Sequence, residues 1–215
     1  DQLYQRFYLD DNRIGNYGLD YALVLKKFYL FGESSMDNQL GHAHVHGFAA
    51  HLNPKVKMST VFRYFTEDYQ SFGNNAFAEN TRVQNETGLY WGWEVTPHKN
   101  VKLSAYVDYF KFPWLRFGVD GPSQGIEYFT QADFDIHRSV DFYIRYRYLK
   151  RDQNQSVEGT DIPAIIPEIR QNFRAHIGYR VLPWLELKNR VEYVRFENNL
   201  NQISNGLLIY QDINF

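Results

Sequence analysis

Short runs of alternating apolar and polar residues follow one another along the whole chain, separated by turns rich in polar residues, glycine and proline. In one such run Val140 and Phe142 fall on one side of an extended chain, whereas Asp141 falls on the other. Because successive side chains of a strand point to opposite faces, the alternation predicts strands with one apolar and one polar face. We predict about twelve strands, at residues 2–10, 16–25, 28–36, 41–52, 56–66, 86–95, 101–111, 125–136, 140–150, 169–181, 184–196 and 206–215.

The joins between these strands alternate between short turns and longer polar loops. The short turns lie at residues 26–27, 53–55, 96–100, 137–139 and 182–183. The other joins lie at residues 11–15, 37–40, 67–85, 112–124, 151–168 and 197–205. In outer-membrane barrels the short turns are periplasmic and the long loops are extracellular. We therefore predict an all-β fold: one antiparallel up-and-down transmembrane β-barrel domain over residues 1–215, with about twelve strands or more.

A soluble lipocalin-like barrel or sandwich fits the alternation equally well, because a period of two does not say which face is wet. Three features favour the membrane. The apolar face is large and aromatic toward the strand ends, the other face carries charges at mid-strand, and the loop lengths are asymmetric. Aromatic residues make up 18% of the chain, and Tyr and Trp suit membrane interfaces. The predicted location is the outer membrane of a Gram-negative cell, in contact with its lipid and lipopolysaccharide.

Composition excludes several other classes of protein. The chain has no cysteine, which removes disulfides and thiolate metal sites. Its net charge of −2 gives no basic field for nucleic acid. No apolar run approaches the roughly 18 residues of a membrane helix, and no signal peptide is visible, so a secreted chain would be present in mature or trimmed form. Ser139 and His137 share a short turn without an orienting carboxamide, so we expect no enzymatic activity. We also expect no cofactor.

Ten charged residues are predicted to face the inside of the barrel from neighbouring strands. The basic members are Arg145, Arg147, Arg174, Lys188 and Arg190, and the acidic members are Asp133, Asp135, Asp141, Glu186 and Glu192. Basic and acidic ladders that face each other give the transverse field of a selective pore. The same ladders can instead form ion pairs that fill the lumen. We favour the filled lumen and keep the narrow channel as the alternative.

Two further groups of residues are candidates for binding. The loop aromatics Tyr69, Phe72, Phe77, Phe112, Trp114 and Phe117 are candidates for docking other outer-membrane proteins, because clustered exposed aromatics often mark interfaces. His42, His44 and His46 share one face of a predicted strand, and His-x-His pairs can ligate zinc or copper. The alternative for the histidines is that they are polar lumen residues near the rim, and we favour that alternative.

Several segments resemble a family of outer-membrane proteins of Bacteroidota that are labelled by helix-hairpin-helix repeats ahead of a barrel. The similar segments are residues 111–123 (KFPWLRFGVDGPS), 69–77 (YQSFGNNAF), 86–90 (ETGLY) and 206–213 (GLLIYQDI). The chain also ends on Phe215, as outer-membrane proteins often do, which implies folding by the barrel-assembly machinery. Because family members continue beyond the last segment, the resemblance implies a longer polypeptide, with twelve strands as a lower bound.

The resemblance brings no catalytic motif, so function is predicted from the barrel itself. The first expectation is a structural or accessory role in an outer-membrane protein assembly. The alternative is a narrow, charge-lined diffusion channel for small solutes or ions. A lesser alternative, a part in DNA uptake, depends only on the family label, and this chain contains no helix-hairpin-helix segment.

Overall fold

The computed structural model describes residues 3–8, 13–71, 75–137, 139–156, 163–198 and 202–215. The strands are β1 (Asn16–Leu25), β2 (Phe28–Asp37), β3 (His42–Asn53), β4 (Val56–Phe65), β5 (Glu86–His98), β6 (Val101–Phe112), β7 (Ser123–His137), β8 (Val140–Gln155), β9 (Ala164–Leu182), β10 (Leu185–Asn198) and β11 (Ile203–Asn214). A short 3-10 helix spans Leu3–Gln5. None of the helical residues in these ranges forms a helix long and apolar enough to cross a membrane.

The eleven strands form one sheet in chain order, and each strand is antiparallel to its neighbours. This confirms the predicted all-β, antiparallel up-and-down fold. The first predicted strand, at residues 2–10, is wrong where the structure describes it, because Leu3–Gln5 is a 3-10 helix. The remaining predicted strands correspond one to one with β1 to β11.

Both ends of the sheet are open edges in the described part of the chain. Strand β1 pairs only with β2, strand β11 pairs only with β10, and no backbone ladder joins β1 to β11 among the described residues. All ten residues of β1 are exposed. These two strands therefore differ from the nine between them, which are paired on both sides.

The register places one set of alternating side chains on a face that the loops cover. Arg63 on β4 is opposite Val45 on β3 and Gly88 on β5, and all three belong to this set. The face is carried by odd residue numbers in β2, β3, β4, β7 and β8 and by even numbers in β1, β5, β6, β9, β10 and β11. We call it the inner face, and the opposite one the outer face.

The long loop after β4 turns back over the inner face and forms the main buried cluster. Tyr69 and Val83 from this loop pack with Phe65 of β4 and Ala43 of β3, and each of the four is at most 7% exposed. Buried Asp37 holds the arrangement by accepting hydrogen bonds from three backbone N–H groups, those of Gln39, Gly41 and Gln70. The charged carboxylate forms strong hydrogen bonds with these backbone N–H groups, so it anchors the loop without strand pairing.

Strands β8 and β9 extend beyond the rest of the sheet on the long-loop side. Their pairing continues as far as Gln155 and Ala164, inside the segment that was predicted to be a loop. The loop at residues 113–122 packs on this extension, where Arg116 donates to the Asp152 carbonyl and the Asp120 N–H donates to the side chain of Asn154. The extension thus forms a wall against which the neighbouring loop is fixed.

Candidate functional site

The outer face is apolar and open to its surroundings on strands throughout the sheet. On β5, for example, Leu89 is 50% exposed and Trp91 is 48% exposed. Other large apolar side chains that are exposed on the outer face are Leu19, Leu23, Phe62, Leu103, Tyr128, Ile144, Tyr146, Phe173, Ile177, Val191, Tyr193, Leu207, Ile209 and Ile213. Such a continuous apolar surface is unusual for a soluble monomer and indicates contact with a membrane or a partner.

The register places all ten residues of the predicted charged ladders on the inner face. Arg147 pairs with Glu127, and Arg174 pairs with Glu192. Lys188 pairs with Glu186 on its own strand. Half of the ten ladder residues therefore form close ion pairs with neighbours, rather than separating into one basic and one acidic side.

A buried ionic cluster on the inner face ties the long loop to the sheet. The Arg63 guanidinium donates to Glu86 at 2.5 Å and to both carboxylate oxygens of Asp108 at 2.8 and 3.1 Å. The Arg63 and Glu86 side chains are 0% exposed. Glu86 also accepts from the backbone N–H groups of Glu79 and Asn80 at 3.0 Å. We call Arg63, Glu86 and Asp108 the clamp.

The sequence did not predict the clamp, because its members come from three strands whose pairing is known only from the register. Arg63 lies on β4, Glu86 begins β5 and Asp108 lies on β6. One sequence signal was present: Gly88 stands across from Arg63, and a Cβ atom there would lie 2.3 Å from the guanidinium carbon. The glycine leaves room for the buried arginine, so a glycine on the charged face of a strand marks the site.

Glu127 forms a second polar centre next to the clamp. Its carboxylate accepts from the Tyr106 hydroxyl at 2.5 Å and from two nitrogens of Arg147 at 2.8 and 2.6 Å. The Tyr106 ring stacks on the Phe129 ring with centroids 4.8 Å apart. A bidentate arginine contact of this kind fixes both position and orientation, so this part of the inner face is held rigidly.

The carboxylates of the clamp and of Glu127 influence the pKa of Glu79 in the long loop. Part of the residue reaches solvent, yet desolvation raises the pKa of its carboxyl group, and the negative charges of Asp108, Glu127 and Glu86 raise that pKa further. The positive charge of Arg63 opposes the shift only partly. Protonation of Glu79 is therefore easier in the folded protein than in an unfolded chain.

Toward the short turns the inner face carries exposed ion pairs instead. Lys57 pairs with Glu94 at 2.8 Å, and their side chains are 49% and 35% exposed. Lys102 lies 3.8 Å from Asp133 and is equally exposed. We call this region, with Lys188 and Glu186, the open half, and the loop-covered region around the clamp the closed half. Among the described residues, a loop covers the closed half of the inner face.

A cavity of about 400 Å³ lies on the inner face of strands β6 to β10. Four guanidinium groups line it, those of Arg145, Arg147, Arg170 and Arg174. The other lining residues are Tyr106, Phe129, Leu149, Asn172 and Glu192. We call it the arginine cavity.

The predicted docking aromatics divide into two groups. Tyr69 and Phe112 are 2% exposed and belong to the interior, so the prediction that they dock a partner is wrong. Phe77 is 46% exposed and Phe117 is 81% exposed. Trp114 is half-buried and packs edge-on against Phe7 at 5.3 Å. Phe72, the sixth candidate, lies outside the described residues.

The three histidines lie on the outer face, so their interpretation as polar lumen residues is wrong. Their rings stack along β3 with successive centroids 6.1 Å apart. His46 contacts the Tyr21 hydroxyl, and His44 contacts the Ser34 hydroxyl at 2.9 Å. Stacked rings do not converge on one point, and the described part of the chain contains no group of three or more potential ligands that could hold a metal ion.

No family model and no curated protein matches the chain. Among solved structures, it is similar to a NanC porin structure in a rhombohedral crystal form, with 12% sequence identity and a TM-score of 0.44. The similarity covers 94% of this chain and 93% of that chain. A likeness at this level does not transfer a function from one protein to the other.

Proposed function

We propose that this chain is an integral outer-membrane β-barrel protein with a structural or accessory role, and that its inner space is closed on the long-loop side. The division of the sheet into two faces is the observation that carries the proposal. Large apolar side chains such as Leu89 and Trp91 are exposed on the outer face, whereas ion pairs occupy the inner one. Hydrocarbon accepts the first face and excludes the second, as in membrane barrels.

Strand length and backbone pairing support a membrane location. A strand needs about 9–11 residues to cross a bilayer, and β1 to β11 have between 10 and 19. Strands β2 to β10 have both edges paired, which removes most of the cost of placing their backbone N–H and C=O groups in lipid. In the proposed orientation the short turns face the periplasm and the long loops face outward, after folding by the barrel-assembly machinery.

Fluorescence quenching by brominated lipids tests the membrane location. The chain has four tryptophans, and a variant that keeps only Trp91 reports on the outer face. Its emission should be quenched by phospholipids brominated on the acyl chains. A matched variant that keeps only Trp114, half-buried in a loop, should be quenched much less. Unquenched Trp91, in protein that stays monodisperse without detergent, would contradict the proposal.

The closed half supports an accessory role over an open pore. The clamp holds the loop over the inner face through Glu86, which binds the loop backbone at Glu79 and Asn80. A lumen that is filled at one end passes few ions. In planar bilayers we expect the purified protein to pass no current. During purification from membranes we expect it to co-purify with other outer-membrane proteins.

A narrow charge-lined channel is the second candidate function. The exposed ion pairs of the open half favour a water-filled passage, and the arginine cavity would give that passage a preference for anions. A steady, anion-selective current that loses its selectivity in Arg147→Glu would support the channel and contradict the closed lumen. An absence of current would support the first proposal.

A further inference from the structure

The described residues neutralise only half of the positive charge in the arginine cavity. Arg147 is paired with Glu127, and Arg174 with Glu192. In the part of the chain that the structure describes, Arg145 and Arg170 form no ion pair with a carboxylate. Four guanidinium groups against two carboxylates leave a net charge of +2 around the cavity.

The strand register forces two of these cations together. Arg145 on β8 stands directly across from Arg174 on β9. Like charges directly opposite each other on one face destabilise a sheet. Gln131 accepts from the Arg145 guanidinium at 2.6 Å, and the rings of Phe129 and Tyr143 lie 5.3 Å from it, but none of these groups supplies a negative charge. Arg174 has the Glu192 carboxylate as its counter-charge, whereas the described residues provide no counter-charge for Arg145.

We propose that the arginine cavity binds a small organic dianion, with two carboxylates or a phosphate. Guanidinium groups are planar forks of donors that match carboxylate and phosphate oxygens. The stacked rings of Tyr106 and Phe129 form an apolar wall beside them, suited to the carbon skeleton of the solute. The volume of about 400 Å³ lies within the range of small-molecule sites.

Binding of phenyl phosphate and of succinate to the purified full chain in detergent micelles tests this inference. Equilibrium dialysis should show saturable binding of at least one of the two probes and none of acetate. Arg145→Gln and Arg170→Gln should each weaken binding by about tenfold or more, because each removes one charge-assisted contact. Arg170 is exposed, so its replacement tests the site without disturbing the packing.

Lys57→Gln is the matched control, since it removes one positive charge from the inner face at a residue that does not line the cavity. It should leave binding unchanged within about twofold. Absence of saturable binding, or an equal loss in the Lys57 variant, overturns the inference. The inference rests on the proposed barrel, but the two fail separately: lipid-quenched Trp91 in protein that binds neither probe refutes the site alone, and unquenched Trp91 refutes the barrel.

Discussion

The closed half and the open half of the inner face use the same kinds of charged residue in opposite ways. In the closed half Arg63 and Glu86 are completely buried and hold a loop against the sheet. In the open half Lys57 and Glu94 are at a similar distance from each other but keep much of their surface in water. A buried charge that loses its partner is very costly, whereas an exposed one is solvated. The two halves should therefore respond very differently to similar substitutions.

The largest effect is expected for Arg63→Ala. The change leaves Glu86 and Asp108 buried without their cation, and breaking a buried pair in this way typically costs about 3–5 kcal/mol. The free energy of unfolding, measured by urea titration in detergent micelles, should fall by that amount. A loss no larger than that of the Lys57 variant described below would show that the clamp does not hold the closed half.

Asp37→Ala should have the next largest effect. It removes the acceptor of the N–H groups of Gln39, Gly41 and Gln70. Leaving the buried N–H groups of Gly41 and Gln70 unsatisfied should lower the free energy of unfolding by about 2–3 kcal/mol. Hydrogen exchange should rise at these three amides and stay unchanged in β10, and equal exchange in both regions would contradict the anchoring role.

Gly41→Ala tests how closely the loop approaches the sheet. A Cβ atom there would lie 2.5 Å from the Tyr69 Cα atom, so the loop backbone has to move. Overpacking of this kind costs about 1–3 kcal/mol, measured by the same urea titration. Gly206→Ala is the matched control, because no heavy atom lies within 4 Å of its added Cβ, and it should be neutral. Equal stability of the two variants would contradict the close contact.

Lys57→Ala probes the open half. Exposed ion pairs contribute about 0–1 kcal/mol, so the free energy of unfolding should change by no more than that. This small change in the free energy of unfolding should also disappear in about 1 M salt, where charges are screened over a few ångström. A loss as large as that of Arg63→Ala would remove the distinction between the halves.

Glu79→Gln should change only the pH dependence of stability. Because the pKa of Glu79 is raised in the folded protein, its protonated form stabilises the fold at low pH, and that contribution is lost as the pH rises through the folded-state pKa. The neutral variant should therefore melt at a higher temperature than the wild type near pH 8 and at the same temperature near pH 3. The opposite order at pH 8 would contradict the raised pKa.

Alternation predicted the paired strands well, because it records which residues face which side. Strand β6, for example, was predicted at residues 101–111 and spans Val101–Phe112. The β8–β9 extension was missed since residues 152–155 are polar without alternation and pair through their backbone. The strand predicted at residues 2–10 was wrong over the described residues 3–8, because aromatic residues there pack on loops instead, as Phe7 does on Trp114.

The inner site could be predicted only in part from the sequence. Parity within a strand gave the shared face of Arg145 and Arg147, but it could not give the opposition of Arg145 and Arg174, which depends on the register between strands. For the histidines the sequence did not show which face was inner. Their own face continues to Phe48, whereas the opposite one carries the small residues Ala43 and Gly47. Small residues marked the inner side here because loop residues and large side chains cover them.

An odd number of alternating strands gives the sheet two edges with the same polarity. Strands β1 and β11 are the first and last of the eleven strands in the described part of the chain, so they run in the same direction. Direct pairing of β1 with β11 would make a parallel strand pair in an otherwise antiparallel sheet. A single added strand that runs in the opposite direction could instead pair antiparallel with both β1 and β11. Closing this sheet into a barrel with antiparallel pairing throughout therefore always requires an odd number of added strands.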